Sequence, residues 1–104
     1  MIVISRGPFR DAATQYPNDA DALDRTYRVL KSGTFKDPEA LRKVFPSLDN
    51  FKYKDRWWVI DIGGNNLRML VFINFEDTRV FIKHIFTHVE YDKFTDNCRG
   101  RKKS

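Results

Sequence analysis

The sequence predicts an α+β fold in which N-terminal helices pack on a small antiparallel sheet that is followed by a short C-terminal helix. Two observations support this prediction. Up to about Phe45, apolar residues recur at helical spacing. From Phe51 onward, aromatic and β-branched runs alternate with turns too short to hold crossover helices, so successive strands should pair antiparallel. The length of 104 residues fits a single domain, residues 1–104.

The N-terminal half is expected to contain an edge strand, Met1–Ile4, and then three helices that span about 8–16, 18–33 and 37–45. Pro17 ends the first helix because proline has no backbone N–H to donate. Asn18 can cap the second helix, and Gly33 can terminate it. Asp37 supplies a capping carboxylate for the third helix, directly before a proline at the first helical position.

The C-terminal half is expected to form three strands, a short helix and a flexible basic tail, over 57–62, 67–75, 80–86, 88–96 and 98–104. The sequence Gly63-Gly64-Asn65 provides the first turn. Period-two alternation gives the middle strand one apolar face toward the helices and an opposite face that includes Arg68. In the last strand, the same alternation predicts one shared face for Val80, Ile82, His84 and Phe86. If the registers match, Arg68 and Lys83 project from the same side and form a cationic cleft suited to a phosphodiester.

The net charge of +5 is concentrated in residues 42–104, which hold thirteen basic and eight acidic side chains, whereas residues 1–41 hold six of each. A polyanionic partner should therefore contact the second half of the chain. No apolar run reaches the ~18 residues that span a bilayer, and the apolar start is too short for a signal peptide, so a cytoplasmic location without membrane contact is expected. Cys98 is the single cysteine and no Cys/His group has zinc spacing, so we expect no disulfide, metal or other cofactor.

The loop Asp49–Arg56 interleaves positive charges with aromatic rings. Lys52, Lys54 and Arg56 can hold a phosphate backbone, while the neighbouring rings can stack on unpaired bases. The same pattern also fits a solvated loop with one ring in the core. Both interpretations stay open at the level of the sequence.

His88 and Tyr91 are three residues apart, the spacing that places two side chains on one face of a helix. Together with Arg68 they could bind a phosphate and transfer protons near neutral pH. Tyr91 would need nearby cations to lower its pKa before it could act as a base. The alternative is structural: Thr87 and His88 cap a helix, and Tyr91 buries its ring.

Three segments carry a family resemblance: Val44–Tyr53, Ile62–Arg68 and Thr87–Asp92. In their order and spacing they resemble the HigB toxins of bacterial toxin–antitoxin pairs, which belong to the RelE-like group. The likeness covers about Lys36–Phe94, with a compatible helical N-terminal part. It implies a compact α+β fold and a ribosome-dependent endoribonuclease that cuts messenger RNA during translation.

Carried over by position, the resemblance implies a catalytic site made of Arg68, His88, Tyr91 and Lys83. Relatives often have arginine where this chain has Lys83, and lysine offers phosphate a point charge instead of a fork. The expected reaction is metal-independent attack of the RNA 2′-hydroxyl on the adjacent phosphate, with Arg68 and Lys83 stabilising the developing charge. His88 or Tyr91 would transfer protons, and which of the two is acid or base stays open. RNA or ribosome contacts are expected at Lys52, Lys54, Arg56 and Asn66.

The implied partners are a helix-turn-helix antitoxin similar to HigA, the ribosome with its messenger RNA, and operator DNA that is contacted only through the antitoxin. Two other functions fit the same residues. One is a non-catalytic RNA- or ribosome-binding module that uses the same basic surface, with His88 and Tyr91 in structural roles. The other is a toxin that is inactive alone and acts only as a regulator, bound with its antitoxin to operator DNA.

Overall fold

The structure, a computed structural model, describes residues 1–4, 6–64 and 66–103, with side chains placed up to Arg99. Two predicted features touch residues outside these ranges: the turn residue Asn65 and the last tail residue, Ser104. The described elements, in chain order, are β1 (Ile2–Ile4), α1 (Gly7–Gln15), α2 (Ala20–Ser32), α3 (Pro38–Val44), β2 (Asp49–Asn50), β3 (Trp57–Ile62), β4 (Leu67–Asn74), β5 (Arg79–Thr87) and α4 (His88–Lys103).

The five described strands form one sheet in the order β1-β5-β4-β3-β2. The meander β3-β4-β5 is antiparallel, as predicted. Strand β1 lies at the edge, also as predicted, but it runs parallel to β5, so the sheet is mixed and not wholly antiparallel. Strand β2 was expected to be loop and instead pairs with β3 through two residues. The α+β class is confirmed.

Helices α1, α2 and α3 cover one face of the sheet, and α4 packs on the other. The apolar face predicted for β4 lies in the main core under the first three helices, through Leu67, Met69, Val71 and Ile73. The opposite face carries Leu70, which forms a second cluster with Phe51 and Val59. Tyr91 and Phe94 of α4 pack against this second cluster. Each face of the sheet therefore packs against its own hydrophobic cluster. Arg68 lies on the face that α4 covers.

The predicted N-terminal cap is present in α3 and absent in α2. The Asp37 carboxylate accepts a hydrogen bond of 2.8 Å from the backbone N–H of Ala40, which is the predicted cap of α3. The prediction that Asn18 caps α2 was wrong: Asn18 lies inside a 3₁₀ turn, Pro17–Asp19, and α2 begins after it without a side-chain cap. Pro17 starts this turn because its fixed φ suits the first position of a helical turn.

A β-bulge interrupts the alternation of β5. Val71 pairs with Ile82, but its neighbour Leu70 pairs with His84, so Lys83 is an extra residue with no partner on β4. Directly opposed residues share a face, so His84 lies on the α4 side with Leu70. The prediction that Val80, Ile82, His84 and Phe86 share one face was therefore wrong beyond the bulge, because one inserted residue reverses every later side chain.

Helix α4 begins with a reciprocal cap. Glu90 accepts a hydrogen bond of 2.9 Å from the backbone N–H of Thr87, and the Thr87 hydroxyl oxygen accepts one of 3.3 Å from the backbone N–H of Glu90. The Tyr16 hydroxyl also donates to the Glu90 carboxylate, at 3.1 Å, which joins the end of α1 to α4. The helix is longer than predicted and continues through most of the segment expected to be a basic tail. Within the described ranges, no helix is both long enough and apolar enough to cross a membrane.

Candidate active site

Arg68 lies on the α4 face of β4, directly opposite Asp61 of β3. Its Nε atom is 3.2 Å from the Asp61 Oδ1 atom, and the two side chains are only 29% and 22% exposed. The Nε atom is nevertheless without a hydrogen-bond partner, because the N–H is not aligned with the carboxylate oxygen. The pair is therefore mainly a charge–charge contact that leaves directional bonding capacity on the guanidinium.

Tyr91 of α4 forms the second wall of this site. The Arg68 guanidinium carbon is 4.6 Å from the centre of the Tyr91 ring, a cation–π contact. The ring also meets Phe51 and Phe86 edge-on, with centroid separations of 6.2 and 5.8 Å. Burial raises the pKa of the Tyr91 hydroxyl above 10, although the nearby Arg68 charge acts in the opposite direction. The phenol is thus protonated near neutral pH, which suits a hydrogen-bond donor and not a base.

His88 is the first residue of α4 and lies one helical turn before Tyr91. It is half-buried, and its Nε2 atom is buried with no hydrogen-bond partner. Across the described side chains, the buried polar atoms found without a partner are Arg68 Nε and His88 Nε2. A buried polar atom left unpaired costs free energy, and such atoms concentrate at sites that bind a ligand or a water molecule. Both belong to residues that the sequence predicted for catalysis.

Lys83 lies on the same face as Arg68 but in a different cluster. Its amine is 5.7 Å from the centre of the Trp57 ring and 5.8 Å from that of Phe81. Arg68 pairs with Phe86, three residues farther along β5, which corresponds to roughly 10 Å at ~3.3 Å per residue. The two cations therefore do not form a single clamp for one phosphate.

The loop before β3 is exposed and is fastened to α4. The Lys52 amine lies 5.3 Å from the Tyr53 ring centre, and the Lys54 amine lies 5.1 Å from that of Trp57. The Tyr53 hydroxyl accepts a hydrogen bond of 3.2 Å from Arg99 Nε, and this bond lowers the pKa of the tyrosine. Arg56, with φ of +64°, is exposed and close to Asp55. Of the two rings in this loop, Phe51 is buried and Tyr53 is half-buried, while the three cations are exposed. This arrangement fits the solvated loop with one ring in the core, and RNA binding by Lys52, Lys54 and Arg56 stays a prediction.

The Asn66 side chain has a partner in the N-terminal half of the chain. Its side-chain amide donates a hydrogen bond of 3.1 Å to the Asp19 carboxylate, which holds the β3–β4 turn against the start of α2. Gly63 in the same turn has φ of +63°, and a Cβ atom there would lie 2.5 Å from the Asp19 carboxylate. The structure therefore gives Asn66 and Gly63 a turn-forming role, and RNA binding by Asn66 stays a prediction.

Two contacts of the candidate residues were missed at the level of the sequence: Asp61 beside Arg68, and Trp57 beside Lys83. A signal for Asp61 was present, because strands joined by the turn 63–66 place Asp61 opposite Arg68. Trp57 offered no such signal, since its neighbours come from the bulge in β5 and from α4. In the part of the chain that is described, no group of three or more His, Cys, Asp or Glu side chains is placed to hold a metal ion.

The α+β fold and the sequence place this chain in the RelE-like class of toxic components of toxin–antitoxin systems. The family model HigB_toxin, described as the RelE-like toxic component of a toxin–antitoxin system, matches residues 19–94. The chain belongs to this family, which confirms the predicted resemblance.

The curated relatives extend the match to nearly the whole chain. The mRNA interferase HigB of Escherichia coli O6:H1 is 53% identical over 102 residues, covering 98% of this chain and 99% of that protein. The mRNA interferase toxin HigB of Escherichia coli K12 and the mRNA interferase HigB of Shigella flexneri are each 43% identical over 104 residues, covering 98% of this chain and all of theirs. The similarity thus includes all elements that build the site.

Proposed function

We propose that this chain is an mRNA interferase, a toxin that cleaves messenger RNA on the ribosome without a metal ion. The observation that carries the proposal concerns two buried atoms that have no hydrogen-bond partner: Arg68 Nε, which makes only an ion pair with Asp61, and His88 Nε2. A site that leaves such atoms unpaired in the free protein can pair them with a bound phosphodiester. The names of the similar proteins from Escherichia coli and Shigella flexneri support the same substrate class.

In the proposed reaction, the RNA 2′-oxygen attacks the adjacent phosphorus atom. The O2′–P bond forms and the P–O5′ bond breaks, which yields a 2′,3′-cyclic phosphate and a free 5′-hydroxyl. Arg68 stabilises the negative charge that develops on the non-bridging oxygens, so the mechanism needs no metal ion for this task. DNA should resist cleavage because it lacks the attacking hydroxyl.

Proton transfer is assigned to His88 and Tyr91. His88 is the proposed acceptor of the proton from the 2′-hydroxyl, since its Nε2 atom has no hydrogen-bond partner among the described residues. The Tyr91 hydroxyl has a raised pKa and therefore remains protonated, so it can donate to the leaving 5′-oxygen. The contact between Tyr91 and Arg68 places this donor beside the charge-stabilising group.

The exposed loop supplies the backbone contacts in this proposal. Lys52, Lys54 and Arg56 are all exposed and carry their charge toward solvent. The ribosome would hold the messenger strand in line for attack, which lowers the entropic cost of reaching the reactive geometry. A HigA-like helix-turn-helix antitoxin would be the inhibitory partner and would mediate contact with operator DNA. The expected location is the cytoplasm.

The test is to map messenger 5′ ends in a translating extract with the wild-type protein and the Arg68→Ala variant. Arg28→Ala is the matched control, because Arg28 is an exposed residue of α2 paired with Asp24. New 5′-hydroxyl ends should appear with the wild type and the control and be lost with Arg68→Ala. Ribosome association without cleavage would instead identify a non-catalytic binding module. Activity only as a complex with antitoxin on DNA would identify a regulator.

A further inference from the structure

A second recess opens on the α4 face, separate from Arg68. It is a cleft of about 220 Å³ between the sheet and α4, lined by Lys54, Trp57, His84, Phe94, Asn97 and Cys98. Trp57 pairs with Phe72, whereas Arg68 pairs with Asp61, so the two sites are four residues apart along the same strands. This separation corresponds to ~13 Å at ~3.3 Å per residue. A single phosphate cannot reach both sites, but neighbouring nucleotides of one strand can.

The cleft combines aromatic rings with flanking positive charges. The ammonium groups of Lys54 and Lys83 lie 5.1 and 5.7 Å from the centre of the half-buried Trp57 ring. The His84 ring is parallel to Phe86 within 9° at 5.3 Å, and it meets Phe94 at 4.9 Å. Burial, followed by the charge of Lys83, lowers the pKa of His84, so its ring is neutral near pH 7. Flat, uncharged rings therefore form the walls and two cations form the rim.

We propose that this cleft binds one unpaired nucleobase of the RNA strand whose backbone lies on Arg68. The inference rests on the function proposed above and names a base-binding subsite for that substrate. Aromatic walls with cations at the rim are the combination by which proteins hold single strands: the rings stack on a base, and the cations contact the phosphates beside it. Lys83 then lies at the rim of this subsite and not at the reaction centre.

The two lysines can leave the Trp57 ring when a base arrives. Both are exposed, so their contacts with the ring are weak and easily exchanged. A base that stacks on Trp57 replaces these contacts with a larger aromatic one, and the released ammonium groups can pair with the flanking phosphates. Asn97 is exposed at the same cleft, and its amide can bond to the polar edge of the base. The site thus offers both stacking and a means of base preference.

The fluorescence emission of Trp57 tests the subsite directly, in a variant that retains this residue. The chain has two tryptophans, so the Trp58→Phe variant reports on Trp57 alone. An uncleavable 2′-O-methyl hexanucleotide should quench this emission in a saturable manner, and the same sequence in a duplex should not. The Trp57→Phe variant is the matched control: it retains Trp58, which packs against Phe75 on the other face, and its emission should not change. Absence of quenching by the single strand would overturn the base-binding proposal.

Cleavage mapping separates this inference from the proposed function. In a translating extract, Trp57→Leu should lower the cleavage rate roughly tenfold, the usual scale for loss of one base–aromatic stack, and should alter the base preference near the cut. Trp58→Leu should retain the wild-type pattern, and thermal unfolding checks that both variants are folded. Wild-type cutting together with unchanged rate and preference in Trp57→Leu would refute the subsite alone. A wild type that does not cut would refute the proposed function.

Discussion

The guanidinium group of Arg68 lies 4.6 Å from the centre of the Tyr91 ring, which fixes a strand residue of the sheet against the first turns of the last helix. Asp61 approaches the same guanidinium at 3.2 Å from the neighbouring strand. One arginine is therefore held by a ring and a carboxylate, and its Nε atom makes an ion pair with Asp61 but no hydrogen bond. This arrangement orients the group without saturating it, which is the state that binding of a phosphate requires.

Arg68→Lys should retain the charge but lose most of the activity. Lysine has neither the planar fork that matches a phosphate nor the flat surface that stacks on Tyr91. Cleavage should fall at least tenfold, against about 10²–10³-fold for Arg68→Ala. The measurement is the rate of 5′-end formation in a translating extract. Equal rates for Arg68→Lys and wild type would show that position 68 needs only a positive charge.

Asp61→Asn should strengthen binding of single-stranded RNA. The carboxylate offsets the Arg68 charge, and asparagine removes that offset with almost no change of shape. Affinity for an uncleavable oligonucleotide should rise severalfold at low salt, with a salt dependence steeper by about one unit. The free energy of unfolding should fall by about 1 kcal/mol or less. Weaker binding in this variant would instead make Asp61 an orienting group that Arg68 cannot dispense with.

His88→Ala and Tyr91→Phe should separate proton acceptance from proton donation. Tyr91→Phe keeps the ring that packs on Phe51 and Arg68 and removes only the hydroxyl, so stability should hardly change while cleavage falls. His88→Ala should cause a fall of about 10²–10⁴-fold, the usual contribution of a general base. Circular dichroism verifies the fold of each variant. Full activity in both would leave the proton-transfer assignment without support.

Replacing Lys52 and Lys54 together with alanine should weaken association with ribosomes. Both lysines are exposed. The Tyr53 and Trp57 rings beside them are unchanged in the variant, so the loop should keep its conformation. The loss should be largest at low salt and the salt dependence should become flatter, because fewer phosphate contacts release fewer counterions. Co-sedimentation across a salt series measures this, with Lys36→Ala and Lys43→Ala as a charge-matched control on the helical side. If the loop variant associates with ribosomes as well as the wild type at every salt concentration, the ribosome contact lies on another surface.

Stability should decrease on mild acidification because of His84. Its pKa is lowered in the folded state, first by partial desolvation beside the Phe86 and Phe94 rings and then by the charge of Lys83, although the residue is exposed. The unfolded chain retains an ordinary value near 6.5. Below that value the unfolded state binds more protons than the folded state, so the stabilisation present above it is lost as pH falls. Thermal unfolding from about pH 7 to about pH 5 should show a larger decrease for wild type than for His84→Gln. Parallel curves would remove His84 as the cause.

Local patterns were sufficient for those parts of the fold that neighbouring residues determine. The meander β3-β4-β5 and the Asp37 cap depend on alternation, turn residues and capping chemistry within a few positions. The parallel pairing of β1 with β5 depends on contacts between the two ends of the chain, for which a single sequence carries no short-range signal. The bulge at Lys83 is likewise invisible, because an inserted residue does not change the apolar character of the strand.

The same distinction holds for the candidate site. Arg68, His88 and Tyr91 were predicted from motif, spacing and the family resemblance, and the structure brings Arg68 and Tyr91 into contact. The pairing of Arg68 with Asp61 could have been read from the hairpin register, since both residues flank one turn. The cleft around Trp57 could not, because its walls come from β3, β5 and α4, and their approach depends on tertiary packing.

Because of the bulge, β5 should tolerate the deletion of one residue at the bulge but not at the neighbouring positions. Deleting Lys83 would join Ile82 directly to His84 and give a regular ladder with β4, with all other side chains still on their present faces. Deleting Ile85 instead would shift the register by one residue, so that neighbouring side chains of β5 would move to the opposite face of the sheet. Natural length variation among homologous toxins should therefore collect at the position of Lys83, and a shortened strand there would still close the same sheet.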